Sequence, residues 1–270
     1  MEASGKRVIN FRSKTDEFKV YNIADVHGMA KACAVEVFEA DVAAIKSDDK
    51  ALWLGGGDYV DYIGYDDKRF DPDSVADGVP VKALGDLGKH GMEWFASRVD
   101  CIKDKCLGLL LGNHEKQFQL KNKQESLHGW LCTQLDVPNL QYSALFDIVF
   151  TWDTMRKAFR IYCHHGAGYA TTPGGKLNKL IQFMSSFNAD IYFCGHVHDK
   201  VARREPSIGA DRGCTKLEAH EKIGVVSGSY LKTYAQGCTT YGEQRGYRPV
   251  SLGAAWVAIK PFTREFRAEI

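Results

Sequence analysis

Apolar residues recur with two different periods along this chain. Over Phe18–Ile23 they alternate, as in a half-buried strand, and the run breaks at Asp25-Val26-His27-Gly28. Val35, Phe38, Val42 and Ile45 then follow helical spacing and predict a helix with one buried face. A short apolar run over 51–54 leads into Gly55-Gly56-Gly57-Asp58, and 59–80, rich in Asp, Gly and Tyr, reads as a long loop. Residues 85–103 read as helix, and 106–111 as a strand ending in Gly112-Asn113-His114-Glu115. Leu127–Leu135 predicts a helix and Ser143–Trp152 a strand. The run 159–163 is a further strand, ending in His164-His165-Gly166. After a Gly-rich stretch, Leu177, Leu180, Ile181 and Met184 mark a helix, and 191–194 a strand that ends in Gly195-His196-Val197-His198. From 200 onward the pattern is mostly β, over 223–227, 252–260 and 262–268. With no repeat and no linker, 1–270 reads as one α/β domain whose last third, from about 200, is β-rich.

Composition narrows this reading. The 270 residues are 44% hydrophobic and 26% charged, which excludes disorder as the main state. The net charge of +1 argues against a dedicated polyanion binder, although a local basic patch remains compatible with it. The opening residues lack the apolar run of a signal peptide, and no stretch reaches the roughly 18 apolar residues of a membrane span. The expectation is a cytoplasmic protein without a membrane partner. Eight scattered cysteines without a C-x-x-C pair fit free thiols in a reducing compartment. Cys163 and Cys194 lie in strand-like runs and read as small core hydrophobes.

Five strand-like runs thus end in Asp, Asn or His beside Gly, and six of the nine histidines fall in these clusters. In open α/β sheets ligands collect beyond the carboxyl ends of strands. D-x-H is expected about 0.7 times by chance in this composition, but G-H-x-H only about 0.03 and G-N-H about 0.02 times. Imidazole, carboxylate and amide oxygen together suit borderline divalent ions, Mn, Fe, Zn, Co or Ni, and the absence of Cys from the motifs as an obvious ligand argues against a structural zinc site. Seven or so ligands exceed the needs of one ion. Two ions roughly 3.5–4 Å apart, sharing one carboxylate, would use them all and activate a bridging water.

The ordered set D-x-H, G-D, G-N-H-E, H, G-H-x-H resembles the calcineurin-like metallophosphoesterase superfamily, with matching motifs from Asp25 to His198. More loosely, 57–72 and the HHGAG–GGK stretch resemble phosphoesterases encoded by phages. The resemblance implies an αββα sandwich of two mixed β-sheets with a dinuclear site at their edge. It implies that Asp25, His27 and His198 hold one metal and that Asp58 bridges both. Asn113, His196 and a histidine of the doublet would hold the other metal. His164, the first residue after the run, is preferred, and His165 is the alternative ligand or a substrate contact. His114 would be the unligated histidine that meets substrate. Val225-Val226-Ser227-Gly228-Ser229-Tyr230 matches the strand and Gly-Ser turn that often follow in this superfamily.

Other residues leave alternatives open. Asp61 either orients a ligand histidine or caps a turn. Glu115 fits the first turn of a helix better than direct chemistry. Lys68 and Arg69 either pair with Asp66, Asp67 and Asp71 or contact substrate phosphate. Lys176 and Lys179 read as solvated lysines at a helix start. Tyr59, Tyr62 and Tyr65 either stack on a base or pack the loop down. His90, His128 and His220 read as surface or core histidines. The function that results is phosphoester hydrolysis by a metal-bridging hydroxide. A nuclease or phosphodiesterase acting on nucleic acid or nucleotides is the second reading, favoured if the site is an open groove lined with basic and aromatic groups. A metal-stabilised scaffold binding a partner through the Tyr-rich loop is the third, and an unligated His114 speaks against it.

Overall fold

The computed structural model describes residues 2–65, 67–123, 126–211 and 213–270. Two mixed sheets face each other. One contains, in spatial order, β1 (Glu2–Asn10), β5 (Ser143–Trp152), β6 (Met155–His164), β7 (Ile191–Cys194), β9 (Leu217–Val226) and β8 (Val201–Ala210). The other contains β11 (Glu265–Glu269), β10 (Ala255–Lys260), β2 (Phe18–Ile23), β3 (Ala51–Gly55) and β4 (Cys106–Leu109). The period-2 alternation sorts each strand's side chains between two cores. Phe18 and Val20 of β2 meet Phe159, Ile161 and Cys163 of β6 between the sheets, while Tyr21 and Ile23 point the other way. That outer face is covered by α1 (Val35–Ser47), which contributes Phe38, Val42 and Ile45, together with α3 (Leu87–Val99) and α5 (Leu127–Leu135). On the far side, α6 (Pro173–Ser186) places Leu180 and Met184 on Tyr162 and Tyr192 of the six-stranded sheet. The architecture is therefore the expected αββα sandwich.

Differences from the sequence expectation concern local geometry. The expected helix over 85–103 is split: α2 (Val81–Gly85) precedes α3, and Asp100–Lys105 tightens into a 3-10 turn. A helix α4 (Asn113–Asn122) starts inside the third motif. The polar strand β1 joins the sheet edge parallel to β5, and the β8–β9 hairpin extends the other edge. A short α7 (Tyr241–Gln244) lies in the segment between β9 and β10. Cys163 and Cys194 are buried free thiols, as expected for strand hydrophobes. Among the described residues, no helix is long and apolar enough to cross a membrane.

Strand direction decides where the motifs go. β2, β3 and β4 run parallel, as do β6, β7 and β9. Their carboxyl ends therefore open on common edges, and short bonds hold the two edges together. Asn22 Nδ2 donates to the Cys194 carbonyl across the sandwich at 3.0 Å, and the His196 amide donates to Asp25 Oδ2 at 2.8 Å.

Candidate metal centre

Each motif residue sits on the turn that follows its strand, and the turns are tightly wound. Asp25, His27, Asp58, His196 and His198 all have left-handed backbone, with φ of 54°, 49°, 55°, 69° and 46°. Asp and His tolerate this region better than most residues, but each such position still costs about 1–3 kcal/mol. The loops after β2 and β3 hold one another: the Asp25 amide donates to the Gly57 carbonyl at 2.9 Å and the His27 amide to the Asp58 carbonyl at 3.1 Å. Gly57 makes the approach possible. Its φ is +92°, and a Cβ there would lie 2.7 Å from both the Gly112 Cα and His165 Nδ1.

The side chains converge in overlapping groups whose ligand atoms lie within 4.8 Å of one another: Asp25, His27 and His198; His27, Asp58 and His114; Asp58, His165 and His196. His27 and Asp58 each belong to two of these groups, and of the two only the Asp58 carboxylate has an oxygen for each of two cations, since His27 Nδ1 is taken by Asp61. Asp25 Oδ1 is buried, makes no hydrogen bond of good geometry, and lies 3.2 Å from His198 Nε2. That nitrogen is in turn 3.2 Å from His27 Nε2. The outer amide atom of Asn113 lies 2.8 Å from His196 Nδ1, 2.9 Å from His165 Nε2 and 3.1 Å from Asp58 Oδ2. Acceptors facing acceptors over such distances repel unless positive charge lies between them. This donor set of carboxylate, imidazole and amide fits divalent cations.

Outer hydrogen bonds fix which nitrogen of each ring faces inward. His27 Nδ1 is 3.1 Å from Asp61 Oδ1, leaving Nε2 for the site. His165 Nδ1 is 2.8 Å from the Gly56 carbonyl, again leaving Nε2. His196 reverses the order, with Nε2 3.0 Å from the Gly168 carbonyl and Nδ1 turned inward. Burial opposes ionisation of Asp25 and Asp58, but the surrounding imidazoles outweigh it and hold both carboxyls below the usual range. Burial likewise lowers His27 and His196.

The preference for His164 is corrected by strand alternation. His164 is the last residue of β6 and shares the outer face with Tyr162. Its ring stacks on Phe183 of α6 at 4.6 Å, and burial lowers its pKa to about 4. The side chain that enters the cluster is His165, fully buried and 3.3 Å from Asp58 Oδ2.

Glu115 has a larger part than its helix position suggested. It is the third residue of α4 and reaches back to the Gly112 amide at 3.1 Å, as an N-terminal helix carboxylate does. The same buried carboxylate also accepts the amides of Asp58 at 2.9 Å and Tyr59 at 2.7 Å. It thereby clamps the turn that carries Asp58. Lys176 is also corrected: it is buried rather than solvated, 3.1 Å from Asp199 Oδ2 and 3.4 Å from the His198 carbonyl. Arg69 pairs with Asp67 through Nε at 3.0 Å and Nη2 at 2.9 Å. Lys68 makes no ion pair among the described residues and lines the cleft; Asp66, its other expected partner, lies outside them. Tyr59 and Tyr62 are buried and pack the loop down, the latter stacked on Phe118 at 4.7 Å, whereas Tyr65 is exposed. His128 is a core histidine, buried in α5.

The cluster forms part of the floor of a cleft of about 1130 Å³. His27, Asp58, Asn113, His114, His196 and His198 line it together with residues from 61–63, 68–75, 168–173 and 231–250. The last loop lies beyond every motif noted in the sequence, and only its tyrosines and arginines could have pointed to it.

Residues 18–200 match the family of calcineurin-like phosphoesterases, and the match covers well over half of the 270 residues. The chain belongs to that family. No curated protein matches it in sequence. Among solved structures it is similar to the NAD nucleotidase NadN of Haemophilus influenzae, at 11% identity and a TM-score of 0.42. The similarity covers 94% of this chain and 49% of that one, so the chain spans about half the length of that protein.

Two predictions follow from this geometry. Burial opposes a charged imidazole at His165, but Asp58 beside it prevails, and the pKa is pushed up to about 10. A proton and a cation therefore compete for the same lone pair. Below that pKa the proton is the stronger competitor at each lower pH. Apparent Mn affinity should rise between about pH 6 and 9, by up to about tenfold per unit for each proton displaced. Calorimetric titration across that range checks this, and an affinity independent of pH would count against His165 as a ligand.

Glu115→Gln should leave at least one buried amide facing another donor. Each unsatisfied amide costs about 1–3 kcal/mol. A lower melting temperature together with weaker metal binding is expected, because the Asp58 turn loses its clamp. Unchanged melting and unchanged metal affinity would show that the clamp is unimportant.

Proposed function

We propose that this chain is a metal-dependent phosphoester hydrolase with two divalent ions, drawn from Mn, Fe, Zn, Co and Ni. Asp25, His27 and His198 hold one ion; Asn113, His165 and His196 hold the other; Asp58 bridges them. The observation that carries this reading is the convergence of carboxylate and imidazole atoms in three overlapping groups, two of which contain Asp58. Divalent ions so placed supply Lewis acidity, lowering the pKa of water and neutralising the phosphoryl oxygens.

The chain's own residues do the rest. Asp61 and the Gly56 and Gly168 carbonyls keep the imidazoles in the ligating tautomer. His114 Nδ1 is 2.5 Å from the Asp61 carbonyl, which turns Nε2 toward the cleft. Burial disfavours its charged form, yet the charges of Asp58 and Asp61 outweigh burial and raise its pKa. An imidazole so placed at the cleft can pass a proton to the leaving oxygen. Tyr59 and Tyr62 are buried in the core, which leaves only Tyr65 of that loop's tyrosines exposed for a partner and weighs against the scaffold reading. The phosphodiesterase or nuclease form of the reading gains weight from the cleft, which is wide and lined by Lys68, Arg245, Arg248 and several tyrosines.

Turnover of nitrophenyl phosphate mono- and diesters by the chain loaded with Mn, Zn, Co or Ni tests the reading. No turnover with any of these ions would defeat it. In the same preparation His165→Ala should lose metal while His164→Ala retains it, as elemental analysis would show. The reverse pattern would restore His164 as the ligand.

His114→Ala should keep its metals and lose about 10²–10⁴ in rate. The loss should be larger for an alkyl ester than for a nitrophenyl ester, whose leaving group needs less protonation. Equal losses would remove the proton-donor role, and loss of metal would make His114 a ligand.

A further inference from the structure

The wall of the cleft beside His196 is built from residues that the proposed hydrolysis does not use. Tyr247 stands between Tyr169 and Tyr241, with ring centroids 5.9 and 6.0 Å apart. Arg245 lies over the Tyr241 ring at 5.3 Å. Tyr169 and Tyr241 are 67% and 53% exposed, far more than tyrosines that serve a core. All three tyrosines, with Arg245 and Arg248, line the same cleft as the acceptor cluster.

The wall is held in place rather than loose. The Tyr247 carbonyl accepts from Tyr234 Oη at 2.9 Å, and its amide donates to the Gly242 carbonyl at 2.9 Å. Tyr169 follows Gly168, whose carbonyl is bonded to His196 Nε2. One end of the ring cluster is therefore a single residue away from an atom that orients a candidate metal ligand.

We propose that Tyr169, Tyr241 and Tyr247 form a stacking wall for a nucleobase, with Arg245 and Arg248 meeting phosphate beside it. The substrate is then a phosphoester that carries a base next to the scissile group. This rests on the phosphoester reading above and narrows it. Exposed aromatic rings next to guanidinium groups are the combination that binds bases and phosphates without regard to sequence. A plain alkyl or sugar phosphate would offer the exposed faces of these rings no aromatic group to stack on. Lys68, which has no ion pair among the described residues, adds a third cation to the cleft.

The test is calorimetric binding to the full Mn-loaded chain. The probes are a phosphorothioate-linked tetrathymidylate, the same backbone with tetrahydrofuran residues in place of the nucleosides, and thymidine monophosphate. The base-bearing tetramer should bind roughly 5- to 150-fold tighter than the abasic one. Tyr169→Ala and Tyr247→Ala should shrink that ratio toward one, and Tyr169→Phe should preserve it, since the ring is what stacks. Tyr65→Ala, at an exposed tyrosine outside the cleft wall, should leave the ratio unchanged. A preference already present with the mononucleotide assigns the wall to a single base; one that appears only with the tetramer assigns it to a strand. Equal binding of the base-bearing and abasic tetramers, or a ratio that survives both alanine variants, would overturn the proposal. Binding needs no hydrolysis, so a chain that prefers bases but cleaves no ester fails only the phosphoesterase reading. A chain that cleaves esters without preferring bases fails only this one.

Discussion

Buried acceptors brought face to face are the constraint on which the rest of this structure depends. Asp25, Asp58 and Asn113 present oxygens to imidazole nitrogens over about 3 Å at the floor of the cleft. Such an arrangement is unfavourable unless positive charge enters it, as protons or as metal ions. The raised pKa of His165 and the need for cations are two expressions of the same imbalance. A core of this size could have tolerated fewer polar groups, so the imbalance has to be maintained by structure around it.

That maintenance falls to residues one layer out. Glu115 ties the Asp58 turn to the start of α4, and Asp61 fixes one imidazole while its backbone carbonyl fixes another. The left-handed turns at 25, 27, 58, 196 and 198 store strain that only a well-packed sandwich can support. The bond from the His196 amide to Asp25 Oδ2 joins loops of opposite sheets. Separation of the sheets would therefore dismantle the cluster, and fold stability and ligand geometry are one property here.

Much of this was legible in the chain. Alternation and helical spacing located β2, β5, α1 and α5, and parallel strands ending in Asp, Asn and His pointed to one shared edge. Within His164-His165, position after the apolar run favours His164, whereas strand alternation favours His165. Tyr162 already faced outward, so residue 164 had to share its face and 165 did not. Glu115 could be placed at a helix start, but its bonds to residues near 58 depend on a tertiary approach that no local pattern encodes. For the same reason the buried state of Tyr59 and Tyr62 could not be told from stacking on a ligand. The strand β1 is polar at most positions and gave no periodic signal.

The segment after β9 lines the cleft without contributing to the acceptor cluster. The acceptor cluster lies within 18–200, the span shared with the family, whereas two of the three tyrosines of the aromatic wall, Tyr241 and Tyr247, lie in 231–250. The two parts are not mechanically independent. The Asp25 carbonyl accepts from the Tyr230 amide and from Ser229 Oγ, both at 2.9 Å. The loop that carries Tyr241 and Tyr247 therefore starts from the backbone of a candidate metal ligand. Its other side meets Tyr169, next to the carbonyl that orients His196. The segments that carry the aromatic wall are thus tied to the acceptor cluster on two sides by hydrogen bonds, at the Asp25 carbonyl and at the Gly168 carbonyl.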